Sequence, residues 1–581
     1  MSSEIAEDLS KQTWELLGRF EGRAGAFSQR KDLVAFTLPC DKDSAAKTAM
    51  EFFGEGEHTA TGVDGSMDFD ERLQMILFYA NATAYSCPFS VGDRIIFDLH
   101  SAYRESKMAA TAAIPLWAED LSNVLSNEPE VDLELEHSME RIPNSFMTLG
   151  ELYLAYLASE RSRVLFMDRP LSGTYSSLSH SARYLLRRGV SRLTEWSQES
   201  PVSMLDLRLA VYLGSPSMQI PTRPRFLPFA ILKSLLSAPS SVSQLSAALK
   251  VSDAEASRAV RRLSKLDKEL DGALLADASE SHLEARGTVH DYWRRALALS
   301  LDYVGKVFSR SKHPLAMKGD EYLTILDVDT VSLFLLQGLL DRASQNGVLL
   351  IGIAKDTSAT DVARSVLPYA SAHGFVRLEA PAPMIKNDRA FLAILSSENP
   401  ELLTPWRTMG YDSAFSTISS LGGELRSARK LVSREQLFIR SYFQLRTLKN
   451  DKRVRSQVFL FDRPYASTDS GSRREFEVKE KSGTAKIAAY FEGSPSSPIS
   501  NLVLHILSMN DNPEVFEAYG HNQLLYLADK AVKSEVRMLR SSLRGVADLT
   551  IGGVTSRRKI FGLVTPYRQQ RAEAEHARMK Q

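Results

Sequence analysis

Residues 59–69 read TATGVDGSMDF, and the fold turns on how the aspartate inside them is taken. Thr59, Thr61 and Val63 alternate as a short strand should. Asp64-Gly65-Ser66 then offers two readings. Asp-Gly is a frequent turn dipeptide, because Asp accepts from its own nearby backbone and Gly adopts φ > 0. Local chemistry therefore predicts that the strand stops there, with Asp68 and Asp70 in the hairpin turn that follows. The other reading makes Asp64 a cation ligand at the lip of a sheet. RLQMILFYANATAYSC, residues 72–87, is apolar and β-prone and suits a strand hairpinning back along the first.

Working outward, residues 5–24 have the apolar spacing of a helix, and helices are expected over 100–125 and 146–160. The last, FMTLGELYLAYLASE, is apolar nearly all round and is expected to be buried. It carries Glu151 on a face with Leu154, Ala155 and Ala158, a setting in which an acid needs a partner. SRVLFMDRP follows, with Val164–Met167 a short buried strand that ends at Asp168. GVLLIGIAKDTSATDVARSVL, residues 347–367, gives a buried strand, a polar loop at Lys355-Asp356-Thr357-Ser358 and a helix. LFIRSYFQLRTL, SQVFLFDRP and AKIAAYFEG are strand-like, and a long helix is expected over 522–543. Strands ending in acids, with a further acid on a packed helix, are the pattern of an α/β fold. Asp462 in LFDRP echoes Asp168 and is read as structural; His505 and His521 are read as ordinary surface or helix-end residues.

From 221 to 287 the texture changes. Two helices, a short VSD connection, a third helix DAEASRAVRRLSKL capped by Asp253, and GALLADASESHLEARG as a hairpin make a winged-helix-like insertion. Its third helix carries Arg258, Arg261, Arg262 and Lys265. The chain thus divides into an N-terminal helical segment (1–50), a first core part (51–220), the insertion (221–287), a second core part (288–555) and a basic tail (556–581).

The 581 residues are 44% hydrophobic and 24% charged, ordinary for a soluble globular chain of several domains. Lys+Arg and Asp+Glu balance at 71 each, so no global field draws in nucleic acid, and any such binding falls to local basic patches. Candidates are Arg183, Arg187, Arg188 and Arg192, the run Arg446–Arg455 with Arg453 inside it, and the insertion. Cys40 and Cys87 give neither a disulfide framework nor a zinc set, which points to a reducing, cytoplasmic setting. No signal-peptide pattern or run of ~18 apolar residues occurs, so no membrane span is expected. Gly352 belongs to no phosphate-loop pattern, and no nucleotide site is expected.

Phosphodiester hydrolysis by divalent cations needs carboxylates brought within a few ångströms, which repel one another unless a cation sits among them. Asp64, Glu151 and Asp168 are placed to do this. GVDGS, the glutamate helix followed by VLFMDRP, LLIGIAKDTS and the late AYGHNQLLYLADKAVKSE stand in the order found in the NurA nuclease family. The chain resembles that family over most of 50–220 and 290–545. The resemblance implies an RNase H-like core, a mixed sheet flanked by helices. It implies hydrolysis of DNA from the 5′ end with Mn²⁺ or Mg²⁺, two ions per active site. It also implies a homodimer working with HerA, a hexameric DNA-translocating ATPase. Asp64, Glu151 and Asp168 match the family's acids as catalytic residues and metal ligands, and Lys355 matches a catalytic lysine able to hold a phosphate. The late motif ends in Ala528-Asp529 where the family has Ala-His, so Asp529 is the expected fourth metal ligand. Asp168-Arg169-Pro170 replaces an Asp-Gly-Ser-type motif. These departures leave an alternative, a non-catalytic DNA-binding adaptor with a degenerate core.

Overall fold

The computed structural model describes residues 2–558 apart from 28–29, 73–74, 101–106, 126–134, 189–190, 197–200, 310–312, 318–320, 381, 384, 386, 422–423, 428–433, 450–451, 481–482, 494–495 and 515–518. The basic tail beyond 558 lies outside the described residues.

The stretch around Asp64 does not turn. Gly56–Arg72 and Met75–Val91 form one hairpin of two seventeen-residue strands, paired residue by residue from Gly56↔Val91 to Arg72↔Met75. Asp64 faces Thr83 in mid-ladder, and Asp68 and Asp70 lie inside the strand rather than in a turn. Ladder bonds on both sides outweigh the local preference of Asp-Gly: Val63 also pairs with Met167 of the next strand. A second expectation fails at 108–117. MAATAAIPLW is a strand, not a helix, pairing with Met75–Ala84 and burying Ala110, Ala112, Ile114 and Leu116 on one face. Period-two burial against a long neighbour overrides the helix propensity of alanine.

The hairpin is one arm of an eleven-stranded mixed sheet. Val164–Met167 runs parallel to the first hairpin strand, and Leu349–Ala354 runs parallel to Val164–Met167. Both are buried along their whole length, as strands covered on two faces must be. Phe459–Pro464, Phe438–Gln444, Trp406–Thr408 and the N-terminal Thr37–Pro39 continue the sheet antiparallel to its edge. The helices Leu135–Ala158 and Ile325–Gln345 cover one face through the main apolar core. Lys42–Phe53, Pro498–Met509 and the start of Gln523–Arg558 cover the other. A smaller sheet of Ile418–Leu421, Glu424–Ser427, Arg473–Glu480 and Gly483–Tyr490 belongs to a separate core.

The segment 221–287 contains helices at Leu227–Leu235, Val242–Leu249 and Asp253–Glu269, then the hairpin Leu275–Ser279/His282–Ala285. Ser252, not Asp253, caps the third helix: its hydroxyl accepts from Glu255 N, and the Glu255 carboxylate accepts from Ser252 in return. Among the described residues no helix is long and apolar enough to cross a membrane.

Candidate active site

Two parallel strands end beside the middle of a third. Val63 pairs with Met167, and Met167 with Gly352, so Asp64, Asp168 and Lys355 each emerge near the carboxyl end of the parallel pair. This is where open α/β sheets present ligands. The Asp168 amide donates to Val63 O at 3.1 Å, which fixes the two aspartates beside each other. Glu151 arrives from the helix above. A Cβ on Gly65 would lie 2.6 Å from Met147 Cγ and closer still to the Glu151 carboxylate. On the opposite face a Cβ on Gly62 would lie 2.7 Å from Leu524 Cβ. The glycines flanking Asp64 therefore let a helix press on each side of its strand, a close-approach role rather than a turn.

The electrostatics follow from crowding. Asp64 is 5% exposed. Its Oδ1 accepts from Gly65 N at 2.7 Å, while Oδ2 is buried with no hydrogen-bond partner. Thr83 Oγ1, across the hairpin from Asp64, is likewise buried and unpartnered. Burial, and then the charges of Asp168 and Glu151, push the Asp64 carboxyl up to about 9, so at neutral pH it holds a proton. Asp168 goes the other way. Burial would raise it, but His521 and Lys355 outweigh burial and hold it at about 2. Lys355 Nζ lies 2.5 Å and His521 Nε2 3.3 Å from Asp168 Oδ2. Glu151 is raised by burial, against the opposing pull of Arg169. Arg169 Nε bonds the Glu151 carboxylate, and Nη1 donates to Thr148 Oγ1 at 2.9 Å.

His521 was not legible as a site residue: it is buried against Asp168, neither on the surface nor idle at a helix end. Its turn is tightly specified. Gly520 has φ +96° and Asn522 φ +75°, both in the left-handed region. Asp511 accepts from Gly520 N at 2.5 Å. Asn522 Oδ1 accepts from Leu524 N at 3.0 Å and caps the long C-terminal helix. A Gly-X-Asn turn before a helix was the available signal. His505 is also buried, but in the helix Pro498–Met509, where burial lowers its pKa.

The other acids among the sequence candidates have partners of their own. The Asp529 carboxylate is 2.7 Å from Lys533 Nζ, one turn further along the helix. Asp462 is structural, fully buried and accepting from Leu171 N and Ser172 N at the start of a helix. Arg187, Arg258, Arg261, Arg262 and Arg453 are exposed. The Arg188 side chain lies outside the described residues. Arg192 is tied to Tyr322 O, and Arg446 to Ser396 and Leu402, so both are committed within the fold. Arg183 is half-buried, and burial lowers its pKa.

Three buried carboxylates, one with an orphaned oxygen, form a hard donor set that suits a divalent cation such as Mn²⁺ or Mg²⁺. As they stand, no three acid, histidine or cysteine side chains among the described residues close on one point. Glu151 and Asp168 are instead turned onto Arg169 and Lys355.

No protein-family model matches the chain, and no curated protein matches it. Among solved structures the chain is similar to a NurA crystal structure at 12% identity, over 93% of this chain and 96% of that one, with a TM-score of 0.38. A NurA structure with manganese shows 12% identity over 92% and 98%, TM-score 0.34. The NurA nuclease from Sulfolobus solfataricus shows 11% identity over 94% and 97%, TM-score 0.36. Likenesses this distant leave the functional reading to the site itself.

Proposed function

We propose that this chain is a metal-dependent DNA nuclease that hydrolyses phosphodiester bonds, with Asp64, Glu151 and Asp168 as its carboxylates. One observation carries the reading: Asp64 Oδ2 is buried beside Asp168 and Glu151 with no donor to satisfy it. A lone structural carboxylate would be satisfied or solvated. Asp64 and Asp168 would hold the cation, which when bound polarises the scissile phosphate and lowers the pKa of attacking water. Lys355, partly exposed, is free to lean from Asp168 to a phosphate oxygen. His521, with Nε2 3.3 Å from Asp168 Oδ2, walls that carboxylate on one side. The exposed Arg187, Arg258, Arg261, Arg262 and Arg453 supply phosphate contacts, and segment 221–287 acts as a winged-helix-like DNA module. Exonucleolytic 5′–3′ action, a homodimer and a HerA-type hexameric ATPase partner complete the proposal, in DNA end processing or defence against foreign DNA.

A second reading, the non-catalytic adaptor, is favoured by Arg169 and Lys355 neutralising two of the three acids. Incubating the purified protein with end-labelled DNA and Mn²⁺, with and without EDTA, separates the two. Chelator-sensitive cleavage lost in Asp64→Asn supports the nuclease, and intact DNA under all conditions supports the adaptor.

A further inference from the structure

Arg169 is the cluster's least expected member. It follows Asp168 directly, yet its guanidinium turns back to the glutamate helix and bonds both Glu151 and Thr148. The pair is nearly sealed from solvent, with side chains 14% and 2% exposed. A guanidinium cannot lose its charge there, and it offers a fixed fork that matches a carboxylate. Glu151 is thereby satisfied without an ion, whereas Asp64 keeps an unpartnered oxygen. The acids are not equivalent: Glu151 is closed by the nearly sealed Arg169, Asp168 is held by the more exposed Lys355, and Asp64 has no cation of its own.

We infer that Arg169 occupies the place of a second cation, so that this active site takes one divalent ion, at Asp64 and Asp168, and not two. Charge balance points the same way. Once the ion has displaced the Asp64 proton, three carboxylates facing Arg169 and Lys355 hold one doubly charged ion with only a single positive charge left over, which an incoming phosphate neutralises. A second ion would add two further uncompensated positive charges in a buried site. The inference rests on the acids being cation ligands, and it adds to that reading how many ions bind and which residue sets the number.

The test counts ions and does not need activity. Full-length protein stripped with chelator is titrated with Mn²⁺. Bound ion is measured by the loss of the free-ion electron paramagnetic resonance signal, with calorimetry in parallel. Wild type should bind one Mn²⁺ per chain. Arg169→Gln should bind two and show the spin-coupled spectrum of neighbouring ions, and Arg169→Lys, which keeps the charge, should stay at one. The double variant Arg169→Gln/Glu151→Gln should return to one, because the second site loses its carboxylate. Each variant's melting curve confirms that it is folded; should Arg169→Gln unfold, the wild-type and Arg169→Lys counts still decide. Two ions in wild type, or a count of one in folded Arg169→Gln, overturns the inference while leaving the metal reading intact. No bound ion in any folded protein overturns the metal reading itself.

Discussion

Gly65 decides between a turn and a site at the scale of one hydrogen atom. A methyl group there meets Met147 and the Glu151 carboxylate, so Gly65→Ala should cost about 1–3 kcal/mol by overpacking. A fall in the urea midpoint would register it; an unchanged midpoint would return the Asp-Gly pair to a permissive turn. Asp64 makes a separate prediction about pH. Its folded-state carboxyl titrates near 9, far above the ordinary value of 3.8. The folded chain therefore holds a proton that the unfolded chain releases. The stability this contributes is full at acid pH and drains away as pH rises through that window. Metal-free Asp64→Asn, which never ionises, should melt about 2–4 °C above wild type near pH 8. The gap should close towards pH 4, and a variant that melts lower than wild type at both values would be evidence of a structural carboxylate. With Mn²⁺ the same variant should lose cleavage by roughly a hundredfold or more. The placing of Glu151, Asp168 and Lys355 was legible because one lies on an apolar helix face and two follow short apolar strands, and that of Asp64 because an alternating strand leads into it. Arg169 and His521 were not, because their roles exist only through contacts across the fold with residues far away in sequence.

Among the elements, the C-terminal helix carries the sharpest contrast. Its first turn follows His521, and its second carries Asp529. Losing an i,i+4 ion pair whose lysine is exposed costs about 0.3–0.5 kcal/mol, so Asp529→Ala should leave stability nearly unchanged and cleavage within about threefold. His521→Ala, which strips Asp168 of a buried partner, should lower cleavage about tenfold or more. The reverse pattern would restore Asp529 as the ligand the resemblance implies. The helix Asp253–Glu269 has its own test. Arg258, Arg261 and Arg262 are exposed on it, and replacing all three by Ala should flatten the salt dependence of DNA binding by up to about three units of slope. Turnover on saturating DNA should hold steady; an unaltered slope would show that this face meets something other than DNA. Helix periodicity made this helix readable in advance, since it is local, although the expected cap at Asp253 lies one residue beyond the true one at Ser252. The strand Met108–Trp117 was not, because its alanines take their conformation from the hairpin beside them.

For the molecule as a whole, the resemblance implies a translocase partner, and a direct mixing experiment checks it. The purified chain and a HerA-type hexamer should co-elute at micromolar concentration and degrade DNA faster with ATP. Separate elution and ATP-independent degradation would leave the chain to act alone. The sheet that frames the site was foreseeable as α/β but not in its order, because strands distant in sequence become neighbours only through pairing across crossovers. The two glycines beside Asp64 add a consequence in time. Gly62 is pressed by Leu524, and Gly65 by the helix bearing Glu151, so the aspartate's strand is gripped by residues made soon after it and by residues made more than 450 positions later. Until the ribosome has released Leu524 and His521, one wall of the site is missing and Asp168 lacks its histidine. The acid cluster is thus assembled late, only after a segment far along the chain has folded back onto the strand of Asp64.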